Sequence, residues 1–137
     1  MVSGHFTIAY GCVLVAALLP ILCAAIAKWG MFNKPRREGG YDNANPRAWL
    51  ASQTDWRARA NAAQANSFEA LPLFLAGVLV AQQTGARPAV VDALALAFVA
   101  LRVGYIACYV TDRALLRSTL WSGALGCSIA LFFCAGW

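Results

Sequence analysis

The sequence predicts an all-α integral membrane protein, a four-helix bundle, from three observations. The 137 residues are 61% hydrophobic and only 12% charged, whereas charged residues make up about 25% of a typical soluble domain. The apolar residues collect into four segments, each near the roughly 20 residues that a helix needs to cross a bilayer. Turn-forming and basic residues separate these segments. We therefore expect a single four-helix transmembrane domain over residues 1–137, and neither a soluble enzyme nor a disordered chain. The expected spans are about 6–27, 57–83, 89–110 and 115–136.

The first segment, 6–27, carries no charge and is too long for an ordinary core helix of a soluble protein. Pro20 lies inside it, which a bilayer tolerates when neighbouring helices satisfy the carbonyl that the proline leaves free. A cleaved secretory signal is the competing interpretation, because residues 25–27 (Ala-Ile-Ala) resemble a cleavage site. However, residues 1–5 contain no Lys or Arg, and the apolar run exceeds the roughly 7–15 residues of a signal core. We favour a retained helix.

Residues 28–55 combine basic and turn-forming residues without a sustained apolar period, so they are predicted to form an exposed loop. The second helix is expected to begin near Thr54 or Asp55, because either side chain could cap it. It ends at about Gln83, before a short turn. Its first half is polar and its second half is apolar.

The net charge of +5, from 11 Lys and Arg against 6 Asp and Glu, could indicate nucleic acid, but the basic residues flank apolar segments. Membrane topology explains them better, so we expect membrane lipids and no nucleic acid as partners. The cations of the first loop and its flanks are Lys28, Lys34, Arg36, Arg37, Arg47, Arg57 and Arg59, and those of the third loop are Arg113 and Arg117; the second loop has only Arg87. The first and third loops should therefore be cytoplasmic and both termini should face away from the cytoplasm. In a bacterium, the membrane would be the inner one.

All five cysteines lie in the apolar segments, without a C-x-x-C pair or a neighbouring histidine. We interpret them as small core residues and expect no metal site.

Ionisable residues inside membrane spans are costly and tend to mark function, and here they form two stripes. At about 100° per residue, one face of the second helix carries Asp55, Arg59, Asn66 and Glu69, and the third helix carries Arg102, Tyr105, Tyr109, Asp112 and Arg113. Glu69 and Arg102 lie at similar depth, roughly 10–15 Å from the presumed cytoplasmic ends. We predict that these two side chains are partners, within one subunit or across an interface.

Each polar residue also has a structural interpretation. Glu69 and Arg102 could be an ion pair that only fixes helix register. Tyr105 and Tyr109 could belong to an interfacial aromatic belt, and Asn66 could simply join two helices. The loop cations could contact lipid headgroups. The convergence of these groups at one depth and one side favours function.

Residues 59–75 (Arg-Ala-Asn-Ala-Ala-Gln-Ala-Asn-Ser-Phe-Glu-Ala-Leu-Pro-Leu-Phe-Leu) resemble the signature R-x-x-R-A-x-x-N-x-x-E-x-x-P-x-F-L of the MAPEG family, membrane-associated proteins in eicosanoid and glutathione metabolism. Arg102-x-x-Tyr105-x-x-x-Tyr109 and the later Leu-Leu-Arg117-Ser resemble the end of that family's third helix and the start of its fourth. The resemblance covers essentially the whole chain. One departure is Ala62. Many members of the family have a second arginine at this position, and its absence here affects a contact to the thiol ligand.

The resemblance implies a homotrimer that holds glutathione, as co-substrate, between neighbouring subunits on the cytoplasmic side. Glutathione carries two carboxylates and one ammonium, which suit several arginines and one acid. Glu69 is the sole acid in the middle of a span. The residues that the resemblance assigns to glutathione are Arg59, Asn66, Glu69, Arg102, Tyr105 and Tyr109.

The resemblance also implies that Arg117 stabilises the thiolate of glutathione, although Tyr105 or Tyr109 could donate to the sulfur instead. A cation at a helix N-terminus opposes the helix dipole, which favours a functional role over a membrane anchor. The expected function is a glutathione-dependent transferase or peroxidase that acts on lipophilic electrophiles or hydroperoxides. The alternative is a non-catalytic scaffold or interaction protein of the same fold. A transporter would need a polar path, which the apolar segments 71–79 and 93–101 do not offer.

Overall fold

Four long helices dominate the computed structural model, which describes residues 4–137. They are α1 (Ile8–Lys28), α3 (Asp55–Gln83), α4 (Pro88–Val110) and α5 (Ala114–Phe133); a short helix, α2 (Pro46–Ala51), lies between α1 and α3, and 3₁₀ turns occur at Arg36–Glu38 and Cys134–Gly136. Each long helix is long and apolar enough to cross a membrane. The predicted all-α, four-helix membrane fold is therefore confirmed. Residues 1–3, part of the segment considered for a signal peptide, lie outside the described residues.

At the centre of the bundle, α3 packs closely against both α4 and α5. Phe74 of α3 stacks on Phe98 of α4, with ring centroids 3.8 Å apart and nearly parallel planes. On α3 one turn further, Gly77 lets α5 approach, because a methyl group there would lie 2.9 Å from the carbonyl oxygen of Ser128. These contacts fix the register of α3 and α4, which carry the two polar stripes, and of α5 beside them.

Polar contacts join α1 to α3 and α4 at the end of the bundle where α1 begins. The Asp92 carboxylate of α4 accepts a hydrogen bond from the backbone N–H of Ala9 at 2.9 Å. Gln82 donates through Nε2 to Thr7 Oγ1 at 3.2 Å, and Thr7 also caps α1 by accepting from the N–H of Tyr10. Asp92 thus satisfies a backbone donor at the start of a helix, which gives this partly buried charge a structural role.

The prediction that residues 28–55 form only an exposed loop was wrong in one part. Helix α2 buries Trp49 and Leu50, and Tyr41 contacts the rings of Phe32 and Trp49 edge-on, with centroids 5.4 and 5.2 Å away. The Trp49 indole N–H donates to the carbonyl of Gly39. A six-residue helix with two adjacent buried residues shows no apolar period, so sequence pattern could not reveal it.

The boundaries of the long helices follow local signals. Thr54 occupies the N-cap position of α3, although its side chain makes no capping hydrogen bond. Pro20 in α1 and Pro72 in α3 lie within unbroken helices. Each proline removes the N–H that would bond to the carbonyl four residues earlier, and neither ends its helix.

Candidate functional site

The most deeply buried charge of the bundle is Arg102 on α4, which is only 2% exposed. Its guanidinium donates to Asn66 Oδ1 at 2.9 Å and to Ser67 Oγ at 3.2 Å, both on α3. It also lies over the ring of Tyr105, 4.1 Å from the centroid. These partners are all neutral, so the positive charge of Arg102 is hydrogen-bonded but not neutralised by them.

Arg102 determines how the Asn66 amide is oriented. A guanidinium can only donate hydrogen bonds, so the carbonyl oxygen of Asn66 must face it and the amide nitrogen must face the other way. That nitrogen donates to Glu69 Oε2 at 3.3 Å. Asn66 thereby links Arg102 to Glu69.

The prediction that Glu69 and Arg102 are partners needs correction in its detail. Within residues 4–137 the two side chains form no direct ion pair; the salt bridge that is present there joins Arg36 to Asp42 at 3.3 Å. Asn66 lies three residues before Glu69 on the same helix and occupies the space between the two charges. The connection is an amide-mediated chain, and it leaves the Glu69 side chain exposed.

Two arginines and two tyrosines form a stacked row at one end of the site. Tyr105 and Tyr109 meet edge to face, with centroids 5.6 Å apart. The Arg117 guanidinium of α5 lies 4.2 Å from the centroid of the Tyr109 ring, as Arg102 does over Tyr105. Tyr105 is only 4% exposed, which excludes it from a lipid-facing aromatic belt in this chain.

A cavity of about 210 Å³ opens beside this row, and we call it the polar cavity. Arg117, Tyr105 and Tyr109 all line it, together with Asn66. Ser118 and Trp121 complete the lining. The three residues predicted for thiolate stabilisation are thus brought together around one space.

A second space of about 150 Å³, the apolar cavity, lies deeper between α3, α4 and α5. Glu69, Asn66 and Arg102 mark its polar end. The remaining lining residues are mostly apolar: Ala70, Leu73, Phe98, Trp121, Ala124, Leu125 and Ser128. Asn66 and Trp121 line both cavities, so the two spaces are neighbours.

The MAPEG family model matches residues 8–137. The chain belongs to the MAPEG family. The match contains all four long helices and both cavities, and members of the family are glutathione transferases, peroxidases or related proteins. Comparisons with curated proteins and with solved structures found no match.

One predicted site residue of this MAPEG protein lies apart from the others. Arg59 lines neither cavity; its Nε donates to the carbonyl oxygen of Val110 at 3.1 Å, at the C-terminal end of α4. It lies seven residues before Asn66, which is about 10 Å along the helix axis. Arg59 therefore satisfies a terminal carbonyl of α4.

Sequence reasoning missed two residues of the candidate site. Ser67 accepts from buried Arg102, and Trp121 lies between the two cavities. The only sequence signal for Trp121 is its position one helical turn after Arg117, on the same face of α5.

The arrangement of this candidate site could accommodate an anion and an apolar group side by side. Arg117, Tyr105 and Tyr109 line the polar cavity, and guanidinium and phenolic hydroxyl groups can donate hydrogen bonds to an anion. Such donors act more strongly where water is largely excluded. In the described part of the chain, no group of three or more His, Cys, Asp or Glu could hold a metal ion.

Proposed function

We propose that the protein is a membrane-bound glutathione-dependent transferase or peroxidase that acts on lipophilic electrophiles or hydroperoxides. The observation that carries this proposal is the pair of adjacent cavities. One is lined by Arg117 and two tyrosines, and the other is mostly apolar. A thiolate and a lipophilic partner need this combination of surroundings in order to react.

Glutathione is the co-substrate in this proposal, and Glu69 binds its ammonium group. The carboxylate is exposed and oriented by the Asn66 amide, so it is ready to accept from a cation. Arg102 contributes mainly by positioning Asn66, while Tyr105 and Tyr109 line the space for the tripeptide. Arg59, whose Nε is held by Val110, presents its other nitrogens to a carboxylate.

Arg117 stabilises the thiolate. A free thiol with a pKa near 8.5 is only about 3% ionised at pH 7. A guanidinium that lowered this pKa by about two units, roughly 2.7 kcal/mol, would raise the ionised fraction to about three quarters. Stacking on Tyr109 holds Arg117 at the cavity wall, and either tyrosine hydroxyl can donate to the same sulfur.

The thiolate then attacks the second substrate. With an electrophile, sulfur bonds to carbon and the leaving group departs with its electron pair. With a hydroperoxide, sulfur attacks the terminal oxygen, and a proton is taken up to give glutathione sulfenic acid and an alcohol. A second glutathione converts the sulfenic acid to glutathione disulfide and water. The apolar cavity receives the lipophilic part of either substrate, which arrives from the bilayer past partly exposed Leu73 and Trp121.

A homotrimer is part of the proposal. Glu69 is exposed on a membrane-spanning helix, and a carboxylate facing lipid tails is costly. A neighbouring copy would cover it and complete the site, in agreement with the family resemblance. The first and third loops would face the cytoplasm, so that glutathione enters from that side, and in a bacterium the membrane would be the inner one.

A scaffold without catalysis is the second candidate. The observation that favours it is that Arg102 already has partners within the chain. Its guanidinium donates hydrogen bonds to Asn66 and Ser67 and lies over the ring of Tyr105. Such a network can hold helices together without any ligand.

Glutathione binding separates the two candidates. The enzyme should bind glutathione in detergent with micromolar to millimolar affinity and show thiolate absorbance in the complex, and Arg117→Ala should lose that absorbance. Arg113→Ala is the matched control, because Arg113 is an exposed cation at the start of α5 that lines neither cavity. A wild-type protein that binds no glutathione would support the scaffold, and full thiolate absorbance in Arg117→Ala would remove Arg117 from the mechanism.

A further inference from the structure

Ser128 on α5 carries a buried hydroxyl that has no partner within the described part of the chain. The residue is only 2% exposed. Other hydroxyls of α5 are engaged, since Thr119 donates to the carbonyl oxygen of Leu115 and Ser122 donates to that of Ser118. Within residues 4–137 the hydroxyl of Ser128 makes no such bond. Buried hydroxyls are normally paired, because an unpaired one costs free energy.

The hydroxyl oxygen of Ser128 remains accessible from the apolar cavity. Within residues 4–137, no side-chain nitrogen or oxygen that is completely sealed off lacks a hydrogen-bond partner. Since the Ser128 hydroxyl lacks one, its oxygen must retain some accessible surface. Ser128 lines the apolar cavity and not the polar cavity. The accessible surface of its oxygen is therefore part of the apolar cavity wall.

Ser128 lies at the end of the apolar cavity that is remote from the charged residues. Its carbonyl oxygen would be 2.9 Å from a methyl group at Gly77, and Gly77 follows Glu69 by eight residues, about 12 Å along α3. Trp121, which lines both cavities, precedes Ser128 by seven residues, about 10 Å along α5. A ligand group that reaches Ser128 therefore lies about 10 Å beyond the junction of the two cavities.

The surroundings of Ser128 suit an organic ligand better than a water molecule. The cavity has a volume of about 150 Å³, and an apolar cavity of about this size can hold a benzene ring. A buried water needs about two to four polar partners. The cavity wall near Ser128 is otherwise apolar, with Leu73, Phe98, Ala124 and Leu125. One hydroxyl holds a water poorly there, but it can donate to an oxygen atom of an apolar ligand.

We propose that Ser128 is a specificity-determining residue, whose hydroxyl donates to a neutral oxygen acceptor in the lipophilic substrate. A keto or ether oxygen is such an acceptor. The substrate class is then an apolar chain or ring that reacts at one end and carries one oxygen function about 10 Å beyond the junction of the cavities. A pure hydrocarbon chain in the same place would leave the hydroxyl unpaired. This inference rests on the proposed function.

Alkylation of glutathione by a set of iodoalkanes tests the inference. All have one chain length; each carries a keto oxygen at a different position, and the parent iodoalkane carries none. The thiolate displaces iodide, so that a sulfur–carbon bond forms and iodide leaves with its electron pair. With the wild-type protein in detergent, kcat/KM should exceed that of the parent by about three- to tenfold at one or two neighbouring keto positions. This is the worth of one neutral hydrogen bond.

Ser128→Ala should lose the preference for these keto positions and keep the wild-type kcat/KM with the parent iodoalkane. Ser122→Ala is the matched control, because Ser122 is an exposed serine of the same helix that lines neither cavity. This control should keep the preference. The ratio of keto to parent compound is compared between proteins, so that differences in intrinsic reactivity cancel.

Thermal unfolding gives a readout that does not depend on glutathione. Ser128→Ala removes a hydroxyl without a partner, so the melting temperature should be unchanged or higher. A lower melting temperature would show that the hydroxyl has a partner within the protein and would overturn the inference. If wild type alkylates glutathione without preference for any keto position, or if Ser128→Ala keeps the preference, the role of Ser128 is wrong and the proposed function stands. If wild type alkylates glutathione with none of the compounds, the inference is overturned, and if it also binds no glutathione, the proposed function is overturned with it.

Discussion

At the residue scale, the side chain of Asn66 links the buried charge of Arg102 to the exposed charge of Glu69. It accepts from Arg102 and donates to Glu69, and it lines both inner cavities. Its two ends have fixed roles because Arg102 can only donate and the ionised Glu69 can only accept. Any side chain that lacks one of these two roles breaks the chain of contacts.

Asn66→Asp removes the hydrogen-bond donor of this side chain and keeps the acceptor. The aspartate still accepts from Arg102, so we expect the free energy of unfolding to be preserved or increased. It cannot donate to Glu69 and it places a second carboxylate nearby, so glutathione affinity should fall by about tenfold or more. Calorimetry and thermal unfolding in detergent measure the two effects. Unchanged affinity in this variant would show that the orientation of Glu69 does not matter for binding.

The sequence alone indicated most residues of the candidate site, but it did not indicate which of them are in contact. Helical spacing predicted that Asn66 and Glu69 share a face of one helix and that Arg102, Tyr105 and Tyr109 share a face of the next, and the structure shows Arg102 in contact with Asn66 and Tyr105. The amide between Glu69 and Arg102 was missed because periodicity gives the face of a helix and not the length or direction of a side chain. Arg59 shares that face with Asn66, yet the 10 Å or so between them along the axis gives Arg59 a different partner.

At the scale of elements, the approach of α3 to α5 depends on a missing side chain. Gly77 faces the backbone of Ser128 and the side chain of Leu131. The apolar cavity lies directly beside this contact, with Ser128 in its wall. The spacing of the two helices therefore determines the width of that cavity.

Gly77→Ala should lower the free energy of unfolding by about 1–3 kcal/mol, because the added methyl meets a backbone oxygen that has no room to move. Gly126→Ala is the matched control on α5. No atom lies within 4 Å of a methyl group at that position, so this variant should be neutral or up to about 1 kcal/mol more stable. Equal melting temperatures for the two variants would contradict a close contact at Gly77.

Composition made the long helices predictable, because a run of about 20 apolar residues can adopt few backbone structures in a bilayer. Helix α2 could not be predicted in this way. Its stability comes from Trp49 and Leu50 packing against distant residues, and such tertiary contacts leave no period in six residues.

At the scale of the whole molecule, the distribution of cations predicts the orientation in the membrane. The first loop and its flanks carry most of the Lys and Arg residues, while the loop between α3 and α4 carries only Arg87. Basic loops remain on the cytoplasmic side. The polar cavity lies toward the end of the bundle that this rule assigns to the cytoplasm, because Tyr109 and Arg117 line it beside the loop between α4 and α5.

Single reporter cysteines in a cysteine-free background measure this orientation. Asn43→Cys, in the first loop, should react with a membrane-impermeant maleimide only from the cytoplasmic side of sealed vesicles. Gln83→Cys, at the end of α3, should react only from the opposite side. Both positions are exposed, and both should react fully once detergent dissolves the vesicles. The reverse labelling pattern would contradict the predicted orientation.

The position of Trp121 gives the molecule a built-in optical reporter. Its indole forms part of the wall of both inner cavities, and indole emission depends on the polarity of its surroundings. The chain has five tryptophans, so in a variant that keeps Trp121 alone, a charged ligand on one side and an apolar ligand on the other should shift one emission band in opposite directions and reveal the order in which two reactants arrive without any attached dye.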